Sequence, residues 1–149
     1  MSIKVTVTGD LAGRVEAAAQ RAFDFTTREL FDSFQGSFTA QAWDWPGTTQ
    51  RRVGTVGSPR NIIDIGNLRQ TGYRELTGPH SARFTWSANY ATAVHEGYRR
   101  FRADGSYSTW PARPWTSAVL GRVTVPGIRP FRFSQRLKDV WLAHFKSAT

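Results

Sequence analysis

Side chains able to do acid–base, nucleophilic or metal chemistry are few in this chain of 149 residues. It has no cysteine and three histidines, His80, His95 and His144. That excludes a disulfide framework, thiolate zinc sites and a cysteine nucleophile. No H-E-x-x-H, G-x-x-x-x-G-K-[ST], G-x-S-x-G or EF-hand loop occurs, which closes the motif-level routes to zinc, nucleotide, acyl-transfer and calcium chemistry. His95-Glu96 is the only adjacent acid/base pair. Neighbours on a helix point about 100° apart, so this pair does not converge on a substrate without a third group. Asp64, ahead of a glycine turn, reads as a turn or cap residue rather than a base. No catalytic residue, cofactor or metal ligand is assigned, and the chain is read as a non-enzyme.

Arginine is the other chemistry-bearing residue. Of 20 basic residues 17 are arginine, against 11 acidic ones, for a net charge of +9. Through Gln50 there are four basic and six acidic residues, a net −2; from Arg51 onward there are sixteen and five, a net +11. Arginine-rich basic surfaces favour bidentate contacts to polyanions or to an acidic partner surface. Arg99, Arg100 and Arg102, interleaved with Tyr98, Phe101 and Tyr107, resemble the mix of cations and stacking rings used on nucleic acid. Strand alternation places Arg100 and Arg102 on one face and Arg99 on the other, whereas a nucleic-acid groove would gather them together. A hairpin that meets a neighbouring subunit is therefore preferred, with Trp45, Arg51 and Arg52 of the preceding loop as further interface candidates. A basic nucleic-acid-binding module using Arg99–Arg102 is the alternative. Trp43 and Trp45, around a proline turn, read as core anchors before a recognition pocket. Arg14, Arg21 and Arg28 read as a solvated face paired with Asp24.

The elements that must position these groups follow from periodicity. Lys4 to Thr8 alternates as a short first strand, and Asp10 is a candidate helix N-cap. Leu11 to Phe34 contains no proline and carries Leu11, Val15, Ala18, Ala19, Ala22, Phe23, Phe25, Leu30 and Phe34 on one broad face, predicting a helix; Phe31 falls on its polar side. Residues 44 to 66 have no sustained period and read as a long surface loop. Tyr73 to Leu76 and Ala82 to Ser87 pair around TGPHS, Asn89 to Glu96 is a short helix, and Tyr98 to Trp110 is a hairpin whose Asp104-Gly105 suits a type I′ turn. Pro114 opens a short helix that Gly121 stops, and an amphipathic helix follows Ser134. The reading is a single α+β domain over 1–149: a small antiparallel sheet against a long N-terminal helix, with a C-terminal amphipathic helix and a projecting loop or hairpin. A chain of this size buries about 70% of its unfolded surface. No apolar run approaches the roughly 18 residues of a membrane span, and the first ten residues lack the pattern of a secretion signal, so membrane insertion and secretion are not expected.

Three segments, in order, resemble the minor tail or neck component family of long-tailed bacteriophages, which helps join the DNA-filled head to the tail. Pro59 to Gly72 resembles its D-x-G-x-L-R turn, with Asp64, Gly66, Leu68 and Arg69 in place. Tyr90 to Gly97 resembles Y-A-x-x-V-x-x-G, with Tyr90, Ala91, Val94 and Gly97, and Tyr90 to Val94 is expected to pack, with the turn that carries Leu68, beneath the sheet. Pro111 to Trp115 resembles P-A-R-P followed by an aromatic, with Pro111, Arg113, Pro114 and Trp115. The resemblance implies a structural virion protein: a homo-oligomeric ring at the neck or head-proximal end of the tail. Its neighbours would be the head–tail connector and a tail-terminator or tail-tube protein, with assembly in the host cytoplasm. The genome would pass through the ring without specific binding, since strong phosphate contacts in the lumen would hinder its passage.

Overall fold

The computed structural model describes residues 10–63 and 66–147. The alternating segment Lys4 to Thr8 and the turn residue Asp64 lie outside the described residues. The chain opens with α1 (Leu11–Ser37), capped by Asp10, whose Oδ1 accepts a hydrogen bond from Gly13 N at 2.8 Å. At 27 residues this helix is about 40 Å long. Its buried row is Ala18, Ala22, Thr26, Thr27, Leu30, Phe34 and Ser37. Small residues at the N-terminal end of that row let α5 (Phe133–Ser147) lie close along it. Arg136 closes this contact with Nε and Nη2 donating to the two Glu29 oxygens at 2.7 and 2.6 Å. Leu11, Val15 and Phe25, expected on the inward face, are exposed. The apolar stripe is wider than the surface α5 covers, and Phe25 sits instead beneath the Arg136 guanidinium.

The flank of α1 away from α5 is also covered, which explains Phe31. The hairpin of β3 (Gly72–Gly78) and β4 (Ser81–Trp86) lies across it, so that Phe31 stacks on Phe84 at 6.2 Å and lies 6.1 Å from Trp86. Strand β3 contributes Arg74, whose Nη2 donates to Asp24 Oδ1 and whose Nη1 donates to Thr27 Oγ1, at 2.8 and 2.7 Å. Asp24 also pairs with Arg28, as the helical spacing predicts.

The antiparallel part of the α+β fold consists, among the described residues, of three separate two-stranded ladders. One is a correction to the sequence reading of residues 44 to 66 as loop: β1 (Thr49–Arg51) pairs with β2 (Gly54–Val56). Strands of three residues leave no periodicity to read. The segment is pinned at its ends by a bridge in which Trp43 and Arg60 exchange both backbone hydrogen bonds, at 3.0 and 2.9 Å.

The rest of the chain is α2 (Asn67–Gln70), α3 (Ala91–Glu96), the hairpin β5 (Tyr98–Phe101) and β6 (Tyr107–Trp110), and α4 (Trp115–Val119). Trp115 is the hub of the core. It lies 5.1 Å from Phe38, 5.7 Å from Trp86 and 4.6 Å from His95 between ring centroids. Leu30, Phe34, Trp43, Leu68 and Ala91 belong to the same buried cluster. No described helix is long and apolar enough to cross a membrane.

Candidate functional site

The residues singled out by the resemblance meet in space. Leu68 and Ala91 are buried against the cluster around Trp115. Val94 accepts the backbone hydrogen bond of Arg113 at 3.0 Å, tying α3 to the start of α4, and Asn67 Nδ2 donates to the Tyr90 hydroxyl at 3.2 Å. Pro111 is half-buried and Pro114 occupies the N-cap of α4. Gly97 is required twice over: its φ is +75°, and a Cβ there would stand 2.6 Å from the Trp110 carbonyl oxygen and 2.7 Å from Ala112 N. Gly66 takes φ +82° at the N-cap of α2. Arg69 is exposed. Tyr90, expected to pack beneath the sheet, is instead 39% exposed, because α3 turns Ala91 rather than Tyr90 toward the core.

The arginine hairpin projects, with every residue of β5 exposed. Its register pairs Phe101 with Tyr107 and Arg100 with Ser108. One face carries Phe101 and Tyr107, 62% and 59% exposed and 5.3 Å apart, with the Arg99 guanidinium 4.6 Å above the Tyr107 ring. The other carries Arg100 and Arg102, the latter donating to Ser108 Oγ at 3.2 Å. The strand alternation predicted for the three arginines is thus present. The turn is not type I′: no non-glycine described residue has positive φ, so Asp104 cannot take the first position of such a turn. Gly105 N donates to Arg102 O, Arg102 N donates to Ser106 O, and Gly105 has φ +81°, giving a three-residue loop closed by a left-handed glycine. The Ser106 hydroxyl and N–H both donate to Asp104 and hold its carboxyl below the usual carboxylate range.

The base of the hairpin is anchored by aromatic stacking. Tyr98 stacks on Trp110 at 5.2 Å, and Trp110 meets Trp45 edge-to-face at 5.3 Å. Trp43 is the core anchor of its pair, buried with Nε1 donating to Ser37 O, whereas Trp45 is half-buried under two guanidinium groups. Arg60 Cζ lies 3.7 Å and Arg113 Cζ 4.7 Å from its ring centroid. Of the loop arginines, Arg52 is exposed at the β1–β2 turn, while Arg51 turns inward, its guanidinium donating to Asn61 Oδ1 and to the carbonyls of Asn61 and Ile63. The interface set predicted from sequence therefore divides: Arg52, Arg99, Arg100, Phe101, Arg102 and Tyr107 are displayed, whereas Arg51 and Trp45 build the wall behind them. Sequence reading missed Arg60, whose place beside Trp45 depends on the Trp43 bridge.

His95 is half-buried, with Nε2 2.8 Å from the Thr116 hydroxyl and its ring edge-on to Trp115; burial lowers its pKa and Glu96 opposes that shift. Among the described residues no group of three acidic or histidine side chains is placed to hold a metal ion.

Comparison of this chain with protein-family models, curated proteins and solved structures finds no match.

Proposed function

We propose that this chain is a structural, non-enzymatic virion protein of a tailed bacteriophage. In this reading it is a ring-forming neck or head–tail joining subunit around the DNA channel, in the tail-completion class. The observation that carries the reading is convergence. The three segments resembling that family are separated along the chain, yet Leu68, Ala91 and Trp115 share one core and the Val94–Arg113 hydrogen bond ties two of the segments together.

From this unit the β5–β6 hairpin extends with two large exposed aromatics and three arginines, a surface suited to a heterologous contact that closes into a ring. Arg99, Arg100 and Arg102 serve neighbouring subunits or rings, and the DNA passes without a specific site. Changing all three to Glu is expected to abolish head–tail joining while leaving the melting temperature of the isolated protein near that of the wild type, because exposed hairpin residues contribute little to stability. Wild-type protein should bind duplex DNA weakly, with binding lost by physiological salt. Tight DNA binding that survives physiological salt and disappears in the triple variant would contradict the assembly reading and favour a nucleic-acid-binding module.

A further inference from the structure

Behind the hairpin base lies a cleft of about 370 Å³ whose walls include Arg51, Arg60, Arg113, Ile62, Val94 and Trp110. None of the described residues lining it is acidic. Leaving Arg60 aside, Arg51 and Arg113 already place two cations there that, among the described residues, donate to or rest on neutral groups alone. Arg51 donates to an amide oxygen and two backbone carbonyls. Arg113 is 7% exposed, rests on the Trp45 ring, and keeps a buried Nε that donates to no acceptor. Burial, and then the neighbouring cations Arg60 and Arg51, push the Arg113 pKa down to about 10, so it remains charged at neutral pH inside a site that resists its charge. A buried cation with like-charged neighbours costs stability unless an anion completes it.

We propose that this cleft is a binding site for the carboxylate of an acidic side chain flanked by apolar residues, presented by a partner polypeptide. The edge of a guanidinium favours a planar carboxylate through charge-assisted hydrogen bonds. Ile62, Val94 and Trp110 supply apolar walls for the flanking side chains. Depth separates this ligand from nucleic acid. Arg113 is 7% exposed, so the anion must enter the cleft to reach it, whereas the phosphates of a duplex stay on its outer surface. The inference holds whether or not the partner belongs to a phage neck, and its test in purified protein is separate from any test in virions.

The full chain is titrated with the capped tripeptide acetyl-Leu-Glu-Leu-amide in the millimolar range, with the indole N–H signals of Trp45 and Trp110 followed by NMR. Saturable shifts of both signals are expected, with acetyl-Leu-Gln-Leu-amide and the Arg51→Gln variant each binding about tenfold more weakly, the worth of one charge-assisted hydrogen bond. Arg113→Met should also lose peptide binding while keeping or raising the melting temperature, since it removes a charge that folding must bury. Should Arg113→Met not fold, the Arg51→Gln comparison carries the test alone. Equal binding of the Glu and Gln peptides, no saturable shift, or tighter occupation of the same indoles by a short DNA duplex would each overturn the proposal. So would a large fall in melting temperature for a folded Arg113→Met, which would make the stacking of Arg113 on Trp45, rather than a ligand, the role of this residue.

Discussion

At the scale of single residues, the difference between Leu68 and Tyr90 is the sharpest check on how the motif segments sit. Leu68 is 6% exposed within the main core, and Tyr90 is 39% exposed with its hydroxyl accepting from Asn67. Leu68→Asp exchanges buried apolar packing for a carboxylate without a partner and should cost about 3–5 kcal/mol, a large part of a typical stability of roughly 5–15 kcal/mol. Tyr90→Asp loses one surface hydrogen bond and partial packing and should cost about 1 kcal/mol. Urea denaturation of both variants measures the two costs, and equal losses would contradict the placement of α2 and α3. The sequence made Leu68 legible as apolar beside a turn but misjudged Tyr90, because a helix of six residues is too short for its inward face to be read from periodicity. Arg60 and Arg113 were illegible as a pair for another reason. They lie far apart along the chain: Arg60 reaches Trp45 because the Trp43 bridge folds the β1–β2 hairpin back, and Arg113 reaches it from the start of α4, where Val94 holds its backbone.

At the scale of elements, α1 carries the most organisation, and its polar groups are not all solvated. Burial works against the charged form of Asp24, yet the hydrogen bonds from Arg74 and Arg28 outweigh it and bring its carboxyl below the ordinary value of 3.8. A carboxyl depressed in the folded state stabilises the fold above the unfolded value; that contribution fades as pH falls through 3.8 and on through the folded value. Asp24→Asn should therefore flatten the loss of stability between neutral pH and about pH 3, where the wild type weakens. Melting temperatures taken over that range test this, and identical acid dependence in both proteins would remove the Asp24–Arg74 pair from the account. The long helix was legible because its apolar face repeats over many turns. Phe31 was not, because one helix is covered on two flanks by different partners, β3–β4 and α5, and a single stripe cannot describe two contacts. The Asp104-Gly105 turn was legible as a hairpin end, while its geometry was set by the three-residue loop that ends on Gly105.

At the scale of the whole molecule, the charge asymmetry between the first 50 residues and the rest of the sequence acquires a structural meaning. Part of the basic excess from Arg51 onward is used inside the chain: Arg74 pairs with Asp24 and Arg136 with Glu29, both acids of α1. Another part lies around the β5–β6 hairpin, with Arg99, Arg100 and Arg102 displayed on its surface and Arg51 and Arg113 lining the cleft at its base, while Arg122, Arg129 and Arg132 are exposed elsewhere, between α4 and α5. The displayed hairpin arginines are the part of that charge on which the proposed assembly contact rests. The measurement that bears most directly on that reading is quantitative mass spectrometry of purified phage particles from cells carrying this gene, compared with particles from cells in which it is deleted. The account predicts that the protein is found in intact particles at a copy number well below that of the capsid protein, and that the deletion yields heads and tails that sediment separately. Intact, tailed particles containing no trace of the protein would contradict it.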